Sequence, residues 1–243
     1  MASIFSAVRD GIREERLIGL ATVVSGDGMG AKAVLGADGS VEGDLGLSGA
    51  LEERVLARCR KLLEGQETTS FSEESDATEV EIFFESFAPP PKLVIVGAVH
   101  VAIPLVSLAK TLGFFTVVVD ARSVYATEQR FPHCDELIVR WPADALAEMH
   151  LHEATYCVFL THDLKLDNPA LVVALRSHAR YIGALGSKKT HAKRVEALQE
   201  EGLSAEEIAR IHAPIGIKLG GNGPEEIAIS IAAEMVAARY GRA

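Results

Sequence analysis

Apolar and polar positions follow two regimes along this chain, and the change comes at Ala88-Pro89-Pro90-Pro91. Beyond the prolines, short continuous apolar runs alternate with stretches of helical apolar spacing. Lys92–Val96 is such a run, Val101–Leu112 has helical spacing, and Phe114–Val119 is the next run. Glu136–Val139, Tyr156–Leu160 and Tyr181–Leu185 are further strand candidates with helical stretches between them. Unbroken apolar strands are those buried on both faces of a parallel sheet, and strand–helix alternation builds one. One closing helix is expected from Ser187 to about Glu201, ending before Gly202. Another opens at Asn222-Gly223-Pro224-Glu225-Glu226, with proline at its first position and acids in its first turn. Ile227, Ile231 and Met235 form the core-facing stripe of that last helix.

Ahead of the prolines the pattern is more mixed. Ile4–Glu15 reads as an amphipathic helix and Leu17–Val24 as a strand. Ala31–Leu35 and Val41–Leu45 flank Ala37-Asp38-Gly39 as in a hairpin. Ala50–Leu63 is a helix with a charged outer face, and strands over Glu67–Phe71 and Glu79–Phe87 complete a small layer. The fold class expected is α/β: a C-terminal Rossmann-type doubly wound parallel sheet preceded by a small α+β N-terminal domain. The domains fall at 1–87 and 92–243, with 88–91 a stiff proline connector.

Composition narrows the function. Of 243 residues, 48% are hydrophobic and 24% charged, the balance of a globular protein. The net charge of −10 argues against nucleic-acid partners, which need a basic surface. Residues 1–91 carry 17 acidic and 8 basic side chains while 92–243 carry 17 and 16, so the halves are built for different tasks. Apolar runs are broken by Gly97, His100 and Pro104, too short for a membrane span, and no secretory signal opens the chain. Three scattered cysteines fit neither a disulfide scaffold nor a zinc module, so a cytoplasmic protein is expected. Cys157 lies inside a strand and packs as a small hydrophobe, while Cys134 is the only thiol in a loop. Nucleophile elbow, GxxxxGK[ST] loop, HExxH and Tyr-x-x-x-Lys are all absent.

In an open parallel sheet, ligands sit beyond the carboxyl ends of the strands, where strand order reverses. The first strand is followed by Gly97-Ala98-Val99-His100-Val101. Only Gly97 remains of a dinucleotide fingerprint, and Val99 puts a branched side chain where a phosphate would meet backbone. Asp120 lies 23 residues beyond Gly97, near the spacing of a ribose-binding acid, and is equally a cap. Arg122 is placed to receive a phosphate or to pair with Asp120. Thr161-His162-Asp163 ends the fourth strand: His162 either donates to an anion or shuttles a proton, or packs on a helix that Asp163 caps. Gly186-Ser187-Lys188-Lys189 comes after the next strand. Ser187 caps a helix, and cations at a helix N-terminus oppose its dipole, so Lys188 and Lys189 mark an anion site or a solvated face. His212-Ala213-Pro214-Ile215-Gly216 and Leu219-Gly220-Gly221-Asn222-Gly223 form a Gly/Pro-rich loop in which Gly221 allows close approach of backbone or ligand.

With these residues in hand, the stretch from Leu93 to Arg239 resembles the XdhC/CoxI family. Thr161-His162-Asp163, Tyr181-Ile182-Gly183-Ala184-Leu185-Gly186-Ser187-Lys188-Lys189-Thr190, His212-Ala213-Pro214-Ile215-Gly216 and Pro224-Glu225-Glu226-Ile227-Ala228 carry the resemblance. It implies an accessory factor for a molybdenum hydroxylase of the xanthine or carbon monoxide dehydrogenase type. Such a factor binds molybdenum cofactor (molybdopterin), assists its sulfuration and inserts it into the apo-enzyme, as a chaperone more than a catalyst. The partners implied are an apo molybdenum hydroxylase and a cysteine desulfurase, and a homodimer is expected. Two N-terminal segments depart from the family pattern. Ser25-Gly26-Asp27-Gly28-Met29-Gly30-Ala31-Lys32 replaces a Gly-Ser-Ser-Pro-Arg-like loop. Leu45-Gly46-Leu47-Ser48-Gly49-Ala50-Leu51-Glu52 replaces a Gly-Gly-Gly-Cys-Val-Glu segment, keeping the glutamate and losing the cysteine. Two other readings stand beside it: an NAD(P)-dependent oxidoreductase, and a non-catalytic nucleotide-binding assembly module whose first domain serves as a dimer surface.

Overall fold

The structure is a computed structural model that describes residues 4–74 and 79–241. It divides into two compact units between Pro89 and Pro90. The first holds helices α1 (Ile4–Arg13) and α2 (Gly49–Glu64) and strands β1 (Ile18–Ser25), β2 (Lys32–Gly36), β3 (Val41–Asp44), β4 (Thr69–Glu74) and β5 (Glu79–Phe87). The five strands form one antiparallel sheet in the order β3-β2-β1-β5-β4. Period-two alternation puts Ala21 and Val23 of β1 and Val80, Ile82 and Phe84 of β5 on one face. Leu51, Val55, Cys59 and Leu63 of α2 cover that face at helical spacing. The fourth strand begins two residues later than the apolar pattern predicts and runs on to Glu74, because its ladder with β5 continues through polar positions.

The second unit is a six-stranded parallel sheet, β6 (Lys92–Val96), β7 (Phe115–Val119), β8 (Glu136–Ile138), β9 (Thr155–Phe159), β10 (Tyr181–Ala184) and β11 (Ile211–His212). The strand order is β11-β10-β9-β6-β7-β8. The continuous apolar runs split by parity between two core layers. Leu93 and Ile95 face helices α3 (Ala102–Thr111) and α8 (Pro224–Arg239), while Val94 and Val96 face α4 (Pro142–Glu148), α5 (Leu164–Leu175) and α6 (Lys188–Glu200). The α/β class, the doubly wound sheet and the small α+β unit ahead of it are therefore as the sequence predicts, and the strands of that first unit prove to be antiparallel throughout. Two short elements escape the pattern, α7 (Ala205–Ala209) and the two-residue edge strand β11, which places His212 at a sheet edge rather than in a loop. Neither is long enough to show a period. Among the described residues no helix is long and apolar enough to cross a membrane.

Candidate functional site at the carboxyl edge of the parallel sheet

Strand order reverses between β6 and β9, so the crevice of this sheet opens there. The strands end level: Val96 pairs with both Val119 and Phe159, and Phe159 with Ala184. The loops beyond them therefore emerge side by side. Gly97 adopts φ +110°, and a Cβ there would lie 2.9 Å from Thr161 Cγ2 and 3.0 Å from Thr161 N. Only glycine lets the β6 loop rest directly on the β9 loop. His100 is exposed in the turn before α3, while Val101 is buried in the core beneath it.

Asp120 is fully buried, and its carboxylate is already fully engaged. It accepts the Ala98 N–H (2.8 Å), the Arg122 N–H (2.9 Å), Arg122 Nε (2.9 Å) and Arg122 Nη2 (2.8 Å). Burial pushes this carboxyl up, but the bonds from Arg122 and Ala98 outweigh it and hold it below the usual carboxylate range. Arg122 also lies over the Tyr125 ring, 4.7 Å from its centroid. A ribose-binding role would need the oxygens that Ala98 and Arg122 occupy, and the Ala98 amide that a pyrophosphate would seek is spent on Asp120. These residues do not fit a nicotinamide dinucleotide held in the usual way, and no hydride-transfer step is assigned to them.

The β9 loop is braced from below. Thr161 Oγ1 donates to Asp167 Oδ1 at 2.6 Å and accepts the Asp163 N–H at 3.0 Å. Asp163 Oδ1 in turn accepts the Lys165 N–H at 2.9 Å, so it caps α5. Between them His162 is exposed, with φ +60°. After β10, Gly186 leads to Ser187, whose Oγ caps α6 by accepting the Thr190 N–H at 3.1 Å. Lys188 and Lys189 are exposed in the first turn of that helix, where free amides and the dipole favour an anion. Gly221 lies apart from this row. The loop that contains it lines a cavity of about 450 Å³ together with Leu185, Ile215, Ile217, Ile227 and Ser230. Leu185 directly precedes Gly186 and connects the cavity to the edge.

Residues 93–235 match the XdhC Rossmann domain, and residues 12–72 match the XdhC and CoxI family. The chain belongs to the XdhC and CoxI family. It is 34% identical over 159 residues to a probable xanthine dehydrogenase subunit of Bacillus subtilis (strain 168), covering 65% of this chain and 46% of that one. It is 28% identical over 218 residues to the uncharacterized protein YqeB of Escherichia coli (strain K12), covering 85% and 40%. It is 37% identical over 99 residues to the molybdenum cofactor insertion chaperone PaoD of the same organism, covering 41% and 30%. The chain thus spans less than half the length of each of these curated relatives. A crystal structure named as a xanthine dehydrogenase from Bacillus halodurans shares the fold, with a TM-score of 0.56, 22% identity and coverage of 98% and 96%.

Within this XdhC-family chain, the two departing N-terminal segments are neighbours. A Cβ on Gly28 would lie 2.3 Å from Leu45 O, and Glu52 Oε1 accepts the Leu45 N–H at 3.2 Å. The only thiol of that unit, Cys59, points into the core, where burial pushes it up to about 12. Cys157 is likewise buried and pushed up to about 12, and burial also raises Cys134. Two constellations were not visible in the sequence. Asp167 and Arg194 are both fully buried, with Arg194 Nη2 3.7 Å from Asp167 Oδ2 and 3.2 Å from Leu185 O. Burial pushes the Asp167 carboxyl up to about 6, against the pull of Thr161 and Arg194. On the other face, Glu234 Oε2 accepts the Tyr181 hydroxyl and the Gly216 N–H (2.8 Å), and Tyr181 stacks on His212 with centroids 4.6 Å apart. Both sets tie the edge loops to the helices beneath them.

Proposed function

We propose that this protein is an accessory factor for a molybdenum hydroxylase, holding molybdenum cofactor as cargo at the carboxyl edge of its parallel sheet and handing it to the apo-enzyme. The observation that carries the reading is the arrangement at the reversal point. Gly97 and Thr161 bring two loops into contact beside an anion-favouring helix terminus that bears Lys188 and Lys189. The cargo is anionic, and such a terminus suits a phosphate or another oxyanion. Family membership and the likeness to a molybdenum cofactor insertion chaperone support the same reading.

In this scheme Gly97 and His100 form one wall, with the buried Ala98 and Val101 supporting it from the core, His162 and Asp163 the facing wall, and Gly186, Ser187, Lys188 and Lys189 the anion-binding floor. Asp120 and Arg122 set the geometry of the first wall from behind. The part played in sulfuration is to hold the cargo for a separate sulfur donor, because the three thiols of this chain are raised by burial and poor as nucleophiles. The test is retention. The purified chain, mixed with isolated molybdenum cofactor at 100 times its dissociation constant, gains about 2.7 kcal/mol of stability, and apo-hydroxylase then removes the cofactor. A chain that neither retains cofactor nor gains stability refutes the reading.

A further inference from the structure

We infer that His162 is a direct contact to the cargo, its imidazole N–H donating to an anionic oxygen of the bound molecule. This rests on the accessory-factor reading and assigns the residue that marks the ligand's position in the crevice.

The first observation is in the backbone. At φ +60° His162 occupies the left-handed region, where a β-carbon is crowded and glycine is not. The conformation is imposed by the neighbours on both sides. Thr161 is pinned through Oγ1 to the buried Asp167, and Asp163 must turn to cap α5. Glycine would satisfy this turn without strain, and asparagine would do so nearly as well.

Packing does not ask for histidine either. The side chain is exposed, and among the described residues the imidazole has no hydrogen-bond, ionic or ring partner. The adjacent carboxylate of Asp163 is turned to the Lys165 amide. An L-residue is therefore held in a conformation that favours glycine, with a polar side chain that does nothing for the fold. Strain of this kind is kept where a site needs the side chain. The position agrees: Thr161, one residue earlier, is the residue against which Gly97 packs at the reversal of strand order.

Full-length wild type, H162G, H162N and H162A are compared by thermal melting with and without isolated molybdenum cofactor, and by the molybdopterin each retains. H162G is expected to melt no lower than wild type on its own and to bind cofactor about 10–100-fold more weakly, the loss of one hydrogen bond to a charged group. H162A is expected to lose binding equally, and H162N, which tolerates the turn and keeps a donor, to recover part of it. Wild-type affinity in H162G overturns the inference while leaving the accessory reading intact. A melting temperature several degrees lower in H162G also overturns it, by showing a structural task for the imidazole. If wild type itself binds no cofactor, the accessory reading falls and this inference falls with it.

Discussion

Arg122 closes on Asp120 as a two-pronged fork, Nε on Oδ1 at 2.9 Å and Nη2 on Oδ2 at 2.8 Å, while Ala98 donates its amide to Oδ2 of the same carboxylate. One buried acid thus joins the loops after β6 and β7. Asp120→Ala leaves the Ala98 amide and the Arg122 head without an acceptor and is expected to destabilise the chain by about 2–4 kcal/mol. Arg122→Ala keeps the Ala98 bond and is expected to cost less. Urea midpoints at unchanged slope measure both, and equal losses in the two variants contradict the account.

Asp167 sets a pH dependence of its own. Its folded carboxyl, pushed up to about 6 by burial, lies above its unfolded value of 3.8. An acid raised in this way binds its proton more tightly when folded, so its contribution to stability is full below about pH 4 and lost as pH rises to about 6. The loss is on the order of 3 kcal/mol. Asp167→Asn lacks this component, although its Arg194 loses a counter-ion. The difference in unfolding free energy between wild type and variant is therefore expected to change between about pH 4 and pH 6 and to level off above that. A flat difference across the window refutes the assignment.

Glu234 anchors the loop after β11 through Gly216 and the Tyr181 hydroxyl. Burial, together with the Glu234 bond and charge, raises the Tyr181 phenol well above its ordinary value, so the hydroxyl stays a donor. Glu234→Ala is expected to cost about 1–3 kcal/mol and to loosen the loop. Lys218, exposed within that loop, then becomes a preferred trypsin site. Glu234→Gln keeps an acceptor and is expected to lie between. Unchanged cleavage at Lys218 in the alanine variant removes Glu234 from this role.

Lys188 and Lys189 sit where the dipole of α6 opposes them. Replacing each by glutamate is expected to raise the stability of the cargo-free chain by about 0.3–1 kcal/mol per site. The same changes are expected to weaken retention of molybdenum cofactor at least tenfold and to flatten its dependence on salt. Cofactor titrations at two ionic strengths read both effects, and undiminished retention refutes the anion-binding floor.

Much of the architecture was readable from the chain because continuous apolar runs such as Leu93–Val96 have few alternatives to a strand buried on both faces. The residues at the strand ends were readable for the same reason: once the strands are placed, the next few residues of each connection must lie at the edge. The partners of those residues were not. Spacing places Asp120 where an acid meets ribose, and nothing in the spacing shows that Ala98 and Arg122 take its oxygens first. Asp167 and Arg194 lie among other polar positions of their helices and look solvent-facing until α5 and α6 are packed together. Glu234 stands out as the one acid in an apolar stretch of α8, but nothing in that stretch points to its partners Tyr181 and Gly216. The left-handed turn at His162 has no sequence signal at all, because glycine, which would have announced it, is absent there.

Level strand ends have an engineering consequence. With Val96, Val119, Phe159 and Ala184 in one row, each loop starts from the same baseline. Above that row the connections differ in freedom: Asp120 ties the β7 loop to Ala98 and Gly97 rests on Thr161, whereas Ser187 after β10 caps its own helix. The sheet therefore works as a frame with one replaceable socket. Grafting the segment after β10 from another member of the family is the practical way to retune cargo choice, whereas a graft after β7 would remove the acid that holds the β6 loop.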